Sequence, residues 1–354
     1  MLDLSELHVH KRDLAQRVAV QLKDTQFRKF MESRIDAKRD QAPLVTLIND
    51  YAQIFQAKGA ADLASELASL DLQIRQAKGI ESYTQELLSL RLVAPATSHL
   101  QASSEYLVAY QPAGDDAEWT AIEAFDTAGN LHLLDVVNAP AQPVLVVGID
   151  SREDLRAGLA YMNDAFRAAG LQAEVPATVQ SKAGVDTHKL DKVHLNDDQE
   201  PWISGNAEVY ALVNGVHPDD LRANIQAVDM PYLDKDGKNY YPNQILIFWD
   251  QYRYAAANIV LMEHDDNTNY QDLVVQLINA VAEVMRVFPE SAPYSGLVNL
   301  AGEIIRAMPS HWFSNDDDYL DVYYTIEKGQ RYTDYYGASG NARMTLSPYI
   351  LQSN

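Results

Sequence analysis

Apolar residues recur at helical spacing through the first quarter of the chain. Between residues 11 and about 92 they return every three or four positions, the spacing that places side chains on one face of an α-helix. Asp24 stands where it can cap one of these helices, and Gly79 is a suitable helix end. The apolar positions include Leu14, Val18, Leu22, Phe27, Met31, Leu44, Ile48, Leu63 and Leu67. The pattern predicts four or five short helices that pack together or cover a neighbouring domain.

The apolar period changes to two between residues 105 and 149, which is typical of β-strands. A glycine turn at 127–130 separates two of the expected strands. Ser151 and Asp154 have the spacing of a capping box, and the helix that they predict closes at Gly170. We expect a small antiparallel sheet with one helix in this part of the chain.

The second half of the chain has a different pattern of apolar and polar residues. Residues 171–190 carry no strong periodicity, so a linker is expected there, between domains at 1–170 and 191–354. Strands are expected at 207–213, 244–249, 256–262, 322–326 and 343–346, with two helical segments inserted within 270–309. The predicted fold class is α+β: an N-terminal helical segment, a small antiparallel sheet with one helix, and a C-terminal antiparallel β-sandwich with a two-helix insertion.

Composition excludes several functions. The 354 residues carry a formal net charge of −22 and no basic cluster with interleaved aromatic residues, which argues against nucleic acid as a partner. The absence of cysteine excludes disulfides, thiolate catalysis and the common structural zinc sites. No apolar run reaches the roughly 20 residues of a membrane helix. No export signal is found at the start of the sequence, so we expect either a cytoplasmic protein or a trimmed leader.

Acidic residues of the second half gather at the ends of expected strands. One cluster precedes the strand at 207–213, one follows the strand at 256–262, and one precedes the strand at 322–326. Calcium takes roughly six to eight oxygen ligands, which a β-sandwich can supply by bringing several acidic loops to one rim. The alternative is that Asp and Asn are simply good turn residues. The candidate calcium ligands are Asp197, Glu200, Glu263, Asp265, Asp317 and Asp318.

Two smaller features have a plain explanation beside a functional one. Asp234, Asp236 and Gly237 resemble the first part of a calcium loop, but the later glutamate of an EF-hand is missing, which favours a tight turn. His264 lies between two acidic residues, an arrangement that suits a general acid or base. A histidine at a strand end is more often solvated, and we expect that for His264.

The 20 tyrosines concentrate in two stretches, 232–254 and 319–336. Exposed rings beside Asn and Asp suit stacking on sugars or contact with a protein surface, while most of the rings are expected in the sandwich core. The chain contains no nucleophile-elbow, P-loop or glycine-rich dinucleotide motif, so the commonest enzyme classes lose their main support. A metal-dependent hydrolase built on the acidic clusters stays open.

Several stretches of the second half resemble a known family. They are EPWISGNAEVYALV, MPYLD, YYPNQILIFW, YRYAAANIVLMEHDDNTNY and YTDYYGASGNARMTL. They are similar to a family of gammaproteobacterial proteins of unknown function that are usually made with export signals. The resemblance covers mainly residues 193–350, with a weaker similarity at KRDLAQRVA. It implies no activity and no catalytic residues, and it favours export over a cytoplasmic location.

The alternation of strands and acidic loops is also similar in kind to C2-like calcium-binding sandwiches, from which the inserted helices depart. We therefore expect a secreted, periplasmic or cell-surface binding protein, stabilised by calcium, with a carbohydrate or a protein surface as its ligand. The alternative is a metal-dependent hydrolase that uses the same acidic rim, with no catalytic residue assigned. A monomer is favoured, because the apolar faces of the inserted helices are expected to pack within the chain.

Overall fold

A computed structural model describes residues 2–35, 40–93, 106–114, 118–173, 184–197, 201–264, 266–308 and 319–352. The chain divides into two compact units. The first comprises Met1–Asp154, Glu200–Gly205 and Asp266–Asn269, and the second comprises Leu155–Gln199, Asn206–Asp265 and Tyr270–Asn354. A domain boundary at 171–190 remains a prediction.

Helices dominate the front of the first unit, as the apolar period predicts. They are α1 (Leu7–Gln21), α2 (Thr25–Arg34), α3 (Leu44–Phe55) and α4 (Lys58–Lys78). Asp24 caps α2 by accepting the backbone N–H of Gln26 at 2.8 Å. Gly79 ends α4 in the left-handed conformation, with a φ of 77°. Both helix boundaries inferred from the sequence are confirmed.

A six-stranded sheet, sheet I, belongs to the first unit and has the strand order β1-β2-β6-β3-β4-β5. Its strands are β1 (Gln41–Pro43), β2 (Leu88–Val93), β3 (Leu107–Tyr110), β4 (Ile122–Phe125), β5 (Leu131–Leu134) and β6 (Val144–Ile149). One pair, β3 and β6, is parallel, which a period of two cannot indicate. The helical expectation for 11–92 is wrong at its end, where Leu88, Leu90 and Leu92 alternate as a strand.

The predicted helix after β6 is confirmed as α5 (Ser151–Ala168). Asp150 caps it, because its Oδ1 accepts the backbone N–H of Glu153 at 3.0 Å. Asp154 does not complete a capping box as expected. It is fully buried instead, with its Oδ2 2.7 Å from the Nζ of Lys78, which is also fully buried. The helix therefore begins at an Asp cap one residue before the expected Ser.

Two antiparallel sheets pack face to face in the second unit. Sheet II has the order β10-β7-β15-β14, with β11 also paired to β7, and sheet III has the order β13-β12-β8-β9. The strands are β7 (Val185–Leu195), β8 (Val209–Val216), β9 (Ala223–Asp229), β10 (Asn239–Tyr240), β11 (Gln244–Phe248), β12 (Ala256–Glu263), β13 (Tyr319–Glu327), β14 (Tyr332–Tyr336) and β15 (Ala342–Leu351). Leu190 and Met344 of sheet II share one buried core with Val213 and Ile259 of sheet III. This is the expected β-sandwich.

Sheet III is covered on both faces. Every residue of β8 and of β12 is buried. The inserted pair consists of α6 (Tyr270–Arg286) and α7 (Pro293–Arg306), and α7 packs against β8, β12 and β13. The six apolar side chains of this pair that were expected to pack within the chain are buried: Leu273, Leu277, Val281, Leu297, Leu300 and Ile304. The α+β class and the helical insertion are confirmed.

The sequence pattern misses β7, which pairs with β10, β11 and β15 in sheet II. Asp191 is an extra residue in this strand, since Leu346 pairs with Leu190 while the adjacent Thr345 pairs with Lys192. Such a β-bulge shifts the alternation of side chains by one position. No continuous period of two therefore runs through β7, and its charged residues obscure the signal further.

Across the described ranges, no helix is both long enough and apolar enough to cross a membrane.

Candidate functional site

Two of the six candidate calcium ligands lie in the described part of the chain. Asp197 is exposed just after β7, where its backbone N–H donates to Oδ1 of Asn341 at 3.1 Å. Glu263 ends β12 and is only 3% exposed, with its Oε1 3.5 Å from the backbone nitrogen of Glu208. The other four, Glu200, Asp265, Asp317 and Asp318, lie outside the described residues.

The strand ends that carry these candidates lie at one end of the sandwich. The turn between β14 and β15 holds Asn341, which contacts Asp197. Backbone N–H groups at the same turn contact Asp321 of β13. Met262 of β12 pairs with Tyr319, the first residue of β13. The ends of β7 and β12 and the start of β13 are therefore neighbours, and we refer to this end of the sandwich as the acidic rim.

Asp321 of the acidic rim has a structural role. Its carboxylate is fully buried and accepts backbone N–H bonds from Val322 at 2.8 Å, Ser339 at 2.9 Å and Ala342 at 2.8 Å. A Cβ placed on Gly337 would lie 2.2 Å from this carboxylate. Asp321 thus fastens the turn before β15 to β13. Among the residues that the structure describes, no group of three or more His, Cys, Asp or Glu side chains could hold a metal ion.

His264 is 5% exposed, so the expectation that it is solvated is wrong. Its ring stacks on that of Tyr270 with 5.9 Å between centroids, and its Nδ1 lies 3.2 Å from the Tyr270 hydroxyl. The start of α6 covers this strand end, which no local pattern around His264 reveals. In the loop before β10, Asp234 accepts the hydroxyl of Tyr240 at 2.8 Å and Gly237 has a φ of 65°. The tight turn expected there is confirmed.

A groove of about 330 Å³ runs between α1 and α4 in the first unit. Polar and charged residues line most of it, including His10, Asp13, Ser69 and Gln73. Arg17 and Glu66 face each other there, with a 2.6 Å bond between guanidinium and carboxylate. The charges of this groove largely satisfy one another, so it offers no group poised for chemistry.

In the described part of the chain, one face of sheet II, in contrast with sheet III, carries exposed side chains such as Tyr336 and Tyr349. Its core side carries Leu190, Val193, Leu195, Met344 and Leu346. Residues paired across antiparallel strands point to the same side of a sheet, so the pairing assigns the opposite side as well. This side, which we name the outer face, carries Lys189, Lys192, His194, Asn239, Asp334, Tyr336, Arg343, Thr345 and Tyr349.

One row of outer-face residues crosses four strands. Tyr336 of β14 pairs with Arg343 of β15. Arg343 in turn pairs with His194 of β7, which pairs with Asn239 of β10. Directly opposed residues have Cβ atoms about 5 Å apart, and the Tyr336 side chain is 53% exposed. The row therefore presents a phenol ring, a guanidinium, an imidazole and an amide side by side.

A second row lies next to the first. Thr345 of β15 pairs with Lys192 of β7, and its Oγ1 accepts the backbone N–H of Asp334 at 3.0 Å. The Nζ of Lys192 donates to Oδ1 of Asp334 at 2.6 Å. This bond, together with the nearby charge of Arg343, holds the pKa of Asp334 below its usual range. Asp334 is therefore an anion fixed beside the first row.

Arg343 is the cation of the outer face that the protein itself leaves least paired. It is partly buried, yet it has no carboxylate within the 4.0 Å of an ion pair among the described residues. Its Nε and the Nδ1 of His194 are both shielded from solvent, and neither has a hydrogen-bond partner within the described ranges. A guanidinium in such a place favours an anion as a partner, because charge-assisted bonds to an oxyanion are the strongest that it can form.

Tyr349 gives the outer face a second open ring. Its side chain is 44% exposed, and the Nζ of Lys189 lies 5.6 Å from the ring centroid. Tyr252 and Tyr323, in contrast, are buried in the sandwich core. The tyrosines thus divide between the core and exposed positions, as the sequence predicts.

The charge of the outer face differs from that of the chain as a whole. The chain has a formal net charge of −22, whereas Lys189, Lys192 and Arg343 outnumber Asp191 and Asp334 on this face. Three cations against two anions leave a net charge of +1 on these side chains, so this face does not share the strong negative charge of the chain.

Sequence reasoning missed this site because it missed β7. The segment VDTHKLDKVHL does carry a signal when one bulge is allowed for. Leu190 lies out of phase with Val193 and Leu195, and the insertion of one residue between them brings all three to the core. The cationic side chains then fall together on the other face.

The fold defines an α+β protein whose second unit is a β-sandwich with one open sheet face. The model of a family described as protein of unknown function, DUF3103, matches residues 11–354, and the chain belongs to this family. No curated protein and no solved structure matches the chain.

Proposed function

We propose that this chain is a carbohydrate-binding protein and that the outer face of sheet II is its binding surface. The observation that carries the proposal is the row formed by Tyr336, Arg343, His194 and Asn239. An exposed phenol ring is apolar on its face and polar at its tip, which suits stacking on a sugar ring beside hydrogen bonds to hydroxyls. The adjacent amide, imidazole and guanidinium supply donors at the spacing of neighbouring strands.

The breadth of the outer face favours an extended ligand over a small one. Its side chains come from four neighbouring strands, which lie about 4.8 Å apart, so a row spans roughly 14 Å. That length corresponds to several sugar rings. A second exposed ring, Tyr349, lies on the same face and lengthens the surface along the strands.

We further propose that the protein works outside the cytoplasm, as a secreted, periplasmic or cell-surface binder. The resemblance to exported proteins supports this location. Antibody detection in fractionated cells tests it, with signal in the periplasm, on the surface or in the medium expected. Signal confined to the cytoplasm would contradict it.

We also propose that calcium stabilises the sandwich at the acidic rim. The support is the strand arrangement, which brings the ends that bear Asp197 and Glu263 next to the start of β13. Oxygen ligands from several loops at one end are what calcium requires.

Binding of the full chain to a panel of immobilised polysaccharides tests the carbohydrate proposal. Tyr336→Ala and Tyr349→Ala are expected to weaken binding, because each removes a stacking ring. Tyr294→Ala is the matched control: this tyrosine is 49% exposed on α7 and lies off the outer face. If no polysaccharide binds, or if all three variants bind as the wild type does, the proposal is wrong and a protein surface becomes the ligand to examine.

A further inference from the structure

We propose that the outer face contains an anion site formed by Arg343, His194 and Lys192, so that the carbohydrate ligand is an acidic polysaccharide. The inference rests on the proposed function and goes further, since it names the chemical class of the ligand. The groups recognised are carboxylates or sulfates on successive sugars.

The strand pairing places the three basic side chains together. Arg343 lies directly opposite His194, and the neighbouring Thr345 lies opposite Lys192. All of them point away from the core, because Met344 and Val193 between them point into it. Backbone hydrogen bonds of a central strand pair fix the positions from which these side chains project, so the three positions are adjacent before any ligand binds.

Arg343 is the principal group of this site. Its guanidinium presents a planar fork of N–H donors that matches a carboxylate or sulfate with two parallel bonds. It has no carboxylate partner within ion-pair distance among the described residues, and its Nε is shielded from solvent. An oxyanion that binds there forms both an ion pair and hydrogen bonds with Arg343, and no existing ion pair of Arg343 has to be broken first.

Lys192 is held in position by its ion pair with Asp334. The 2.6 Å bond between them keeps the ammonium beside the first row, at 21% side-chain exposure. Asp334 is also the group that a ligand anion must approach, and its charge opposes binding. Removal of this charge with Asp334→Asn is therefore expected to strengthen binding of an acidic ligand, an effect that a purely structural role would not produce.

The negative charge of the chain as a whole means that long-range electrostatic attraction cannot account for binding of an acidic polysaccharide. A net charge of −22 repels a polyanion that comes within the Debye length of about 10 Å at 0.1 M salt, whereas salt screens the repulsion at larger distances. An acidic polysaccharide can therefore bind only through contacts at short range. Binding through this site must depend on the identity of the side chain at position 343.

The experiment compares matched pairs of polysaccharides by biolayer interferometry with the full chain. Dextran sulfate is compared with dextran, which tests sulfate on one backbone. Polygalacturonate is compared with its methyl ester, which tests carboxylate on another. We expect at least one charged member to bind at least tenfold more tightly than its neutral partner. Equal binding within both pairs would overturn the inference.

The variants then assign the effect to the site. Arg343→Gln is expected to weaken binding of the charged polysaccharide about tenfold or more, Arg343→Lys to weaken it less, and Asp334→Asn to strengthen it. Arg167→Gln is the control for loss of one positive charge, since Arg167 lies on α5 and is 60% exposed. Circular dichroism and thermal melts show whether each variant is folded. Folded Arg343→Gln that binds as wild type does would overturn the site.

The failures of the two proposals are distinguishable. If neutral polysaccharides bind through Tyr336 and charged ones bind no better, the chain is a carbohydrate binder without an anion site. Titration of inorganic sulfate and of glucuronate, followed by NMR of the imidazole resonances, tests the anion site without any polymer. In one outcome, the small anions shift the His194 resonance, Arg343→Gln abolishes the shift, and no polysaccharide of the panel binds. This result would support the anion site and reject the carbohydrate function. No shift and no charged binding would reject the anion site.

Discussion

Gly337 lies so close to the buried carboxylate of Asp321 that a Cβ on the glycine would approach it to 2.2 Å. The same carboxylate accepts backbone N–H bonds from Ser339 and Ala342. The turn before β15 can thus pass over Asp321 only because position 337 has no side chain.

Substitution at either residue is expected to destabilise the sandwich. Asp321→Asn replaces one carboxylate oxygen with an NH₂ group that faces a backbone N–H donor, and we expect a loss of about 2–4 kcal/mol in the free energy of unfolding. Gly337→Ala is expected to cost about 1–3 kcal/mol through steric overlap. Urea denaturation followed by circular dichroism measures both.

The matched control is Gly302→Ala on α7, where a Cβ would have no atom within 4 Å. Alanine favours a helix over glycine, so this variant is expected to be neutral or more stable by up to about 1 kcal/mol. A Gly337→Ala variant as stable as Gly302→Ala would contradict the close contact.

The buried pair of Lys78 and Asp154 gives a second prediction. Both side chains are fully buried, and the Lys78 Nζ also donates to the backbone carbonyl of Thr268 at 3.2 Å. Lys78→Met leaves a buried carboxylate without its cation, and we expect about 3–5 kcal/mol of destabilisation. The double variant Lys78→Met, Asp154→Leu should recover most of this loss, because it removes both charges.

A double-mutant cycle in urea measures the coupling between the two residues. The exposed pair of Arg167 and Asp164 serves as the control, with an expected coupling below about 1 kcal/mol. Additive effects of the two buried substitutions would show that the pair does not act as a unit.

The third prediction concerns the pH dependence of stability. Burial lowers the pKa of His188, and the hydrogen bond to the carbonyl of Gln330 opposes this only in part. The Nδ1 of His188 accepts the indole N–H of Trp249 at 2.8 Å, so a proton on Nδ1 would face another donor. The neutral ring is therefore the native form.

The pKa of His188 is lower in the folded state than in the unfolded state. The contribution of neutral His188 to the free energy of unfolding is therefore complete above the unfolded pKa of about 6.5 and is lost as the pH falls below it. The difference in the free energy of unfolding between wild type and His188→Gln should become smaller as the pH is lowered from 7.5 to 5.5. The slope can reach about 1.4 kcal/mol per pH unit below the unfolded pKa. Urea melts of both proteins across this range provide the test, and a difference independent of pH would speak against a neutral His188.

The fourth prediction tests calcium at the acidic rim. Calcium should raise the melting temperature relative to EDTA, and more than magnesium does, because a ligand that binds only the native state adds about 2.7 kcal/mol at a hundredfold excess over its dissociation constant. Asp265→Ala and Asp317→Ala should reduce the shift and the heat of binding in calorimetry. Asp62→Ala on α4 is the control, since this exposed residue lies in the first unit.

An unchanged melt in calcium, with no heat of binding, would mean that the acidic clusters are solvated turns. The calcium-stabilised binder and the alternative of a metal-dependent hydrolase would then lose support together. The carbohydrate site on the outer face would be unaffected, because it uses other residues.

The sequence predicts best those elements whose burial is uniform. β8 and β12 are apolar along their length because sheet III is covered on both faces, and both are found close to the expected positions. The inserted helices are found for a similar reason, since their apolar residues repeat at helical spacing without interruption.

Tertiary contacts decided what the sequence could not predict. His264 is buried by the start of α6, and the Asp321 carboxylate is occupied by a turn some 18 residues further along the chain. The outer face depends on strands that are distant in sequence, since β7 and β15 are joined only by the fold. Four of the six candidate calcium ligands fall outside the described residues, so the sequence pattern alone supports them.

The bulge at Asp191 also constrains how this protein can change over evolutionary time. Deletion of that one residue would remove the bulge and leave a regular ladder, with Leu190, Val193 and Leu195 still in the core and Lys192 and His194 still on the outer face. Loss of the bulge without that deletion would instead exchange the inside and the outside of the strand after Leu190, and would place Lys192 and His194 in the apolar core. Homologues that bind the same ligand are therefore expected to have either two residues with a bulge or a single residue without one between the equivalents of Leu190 and Val193, even where those residues differ in identity.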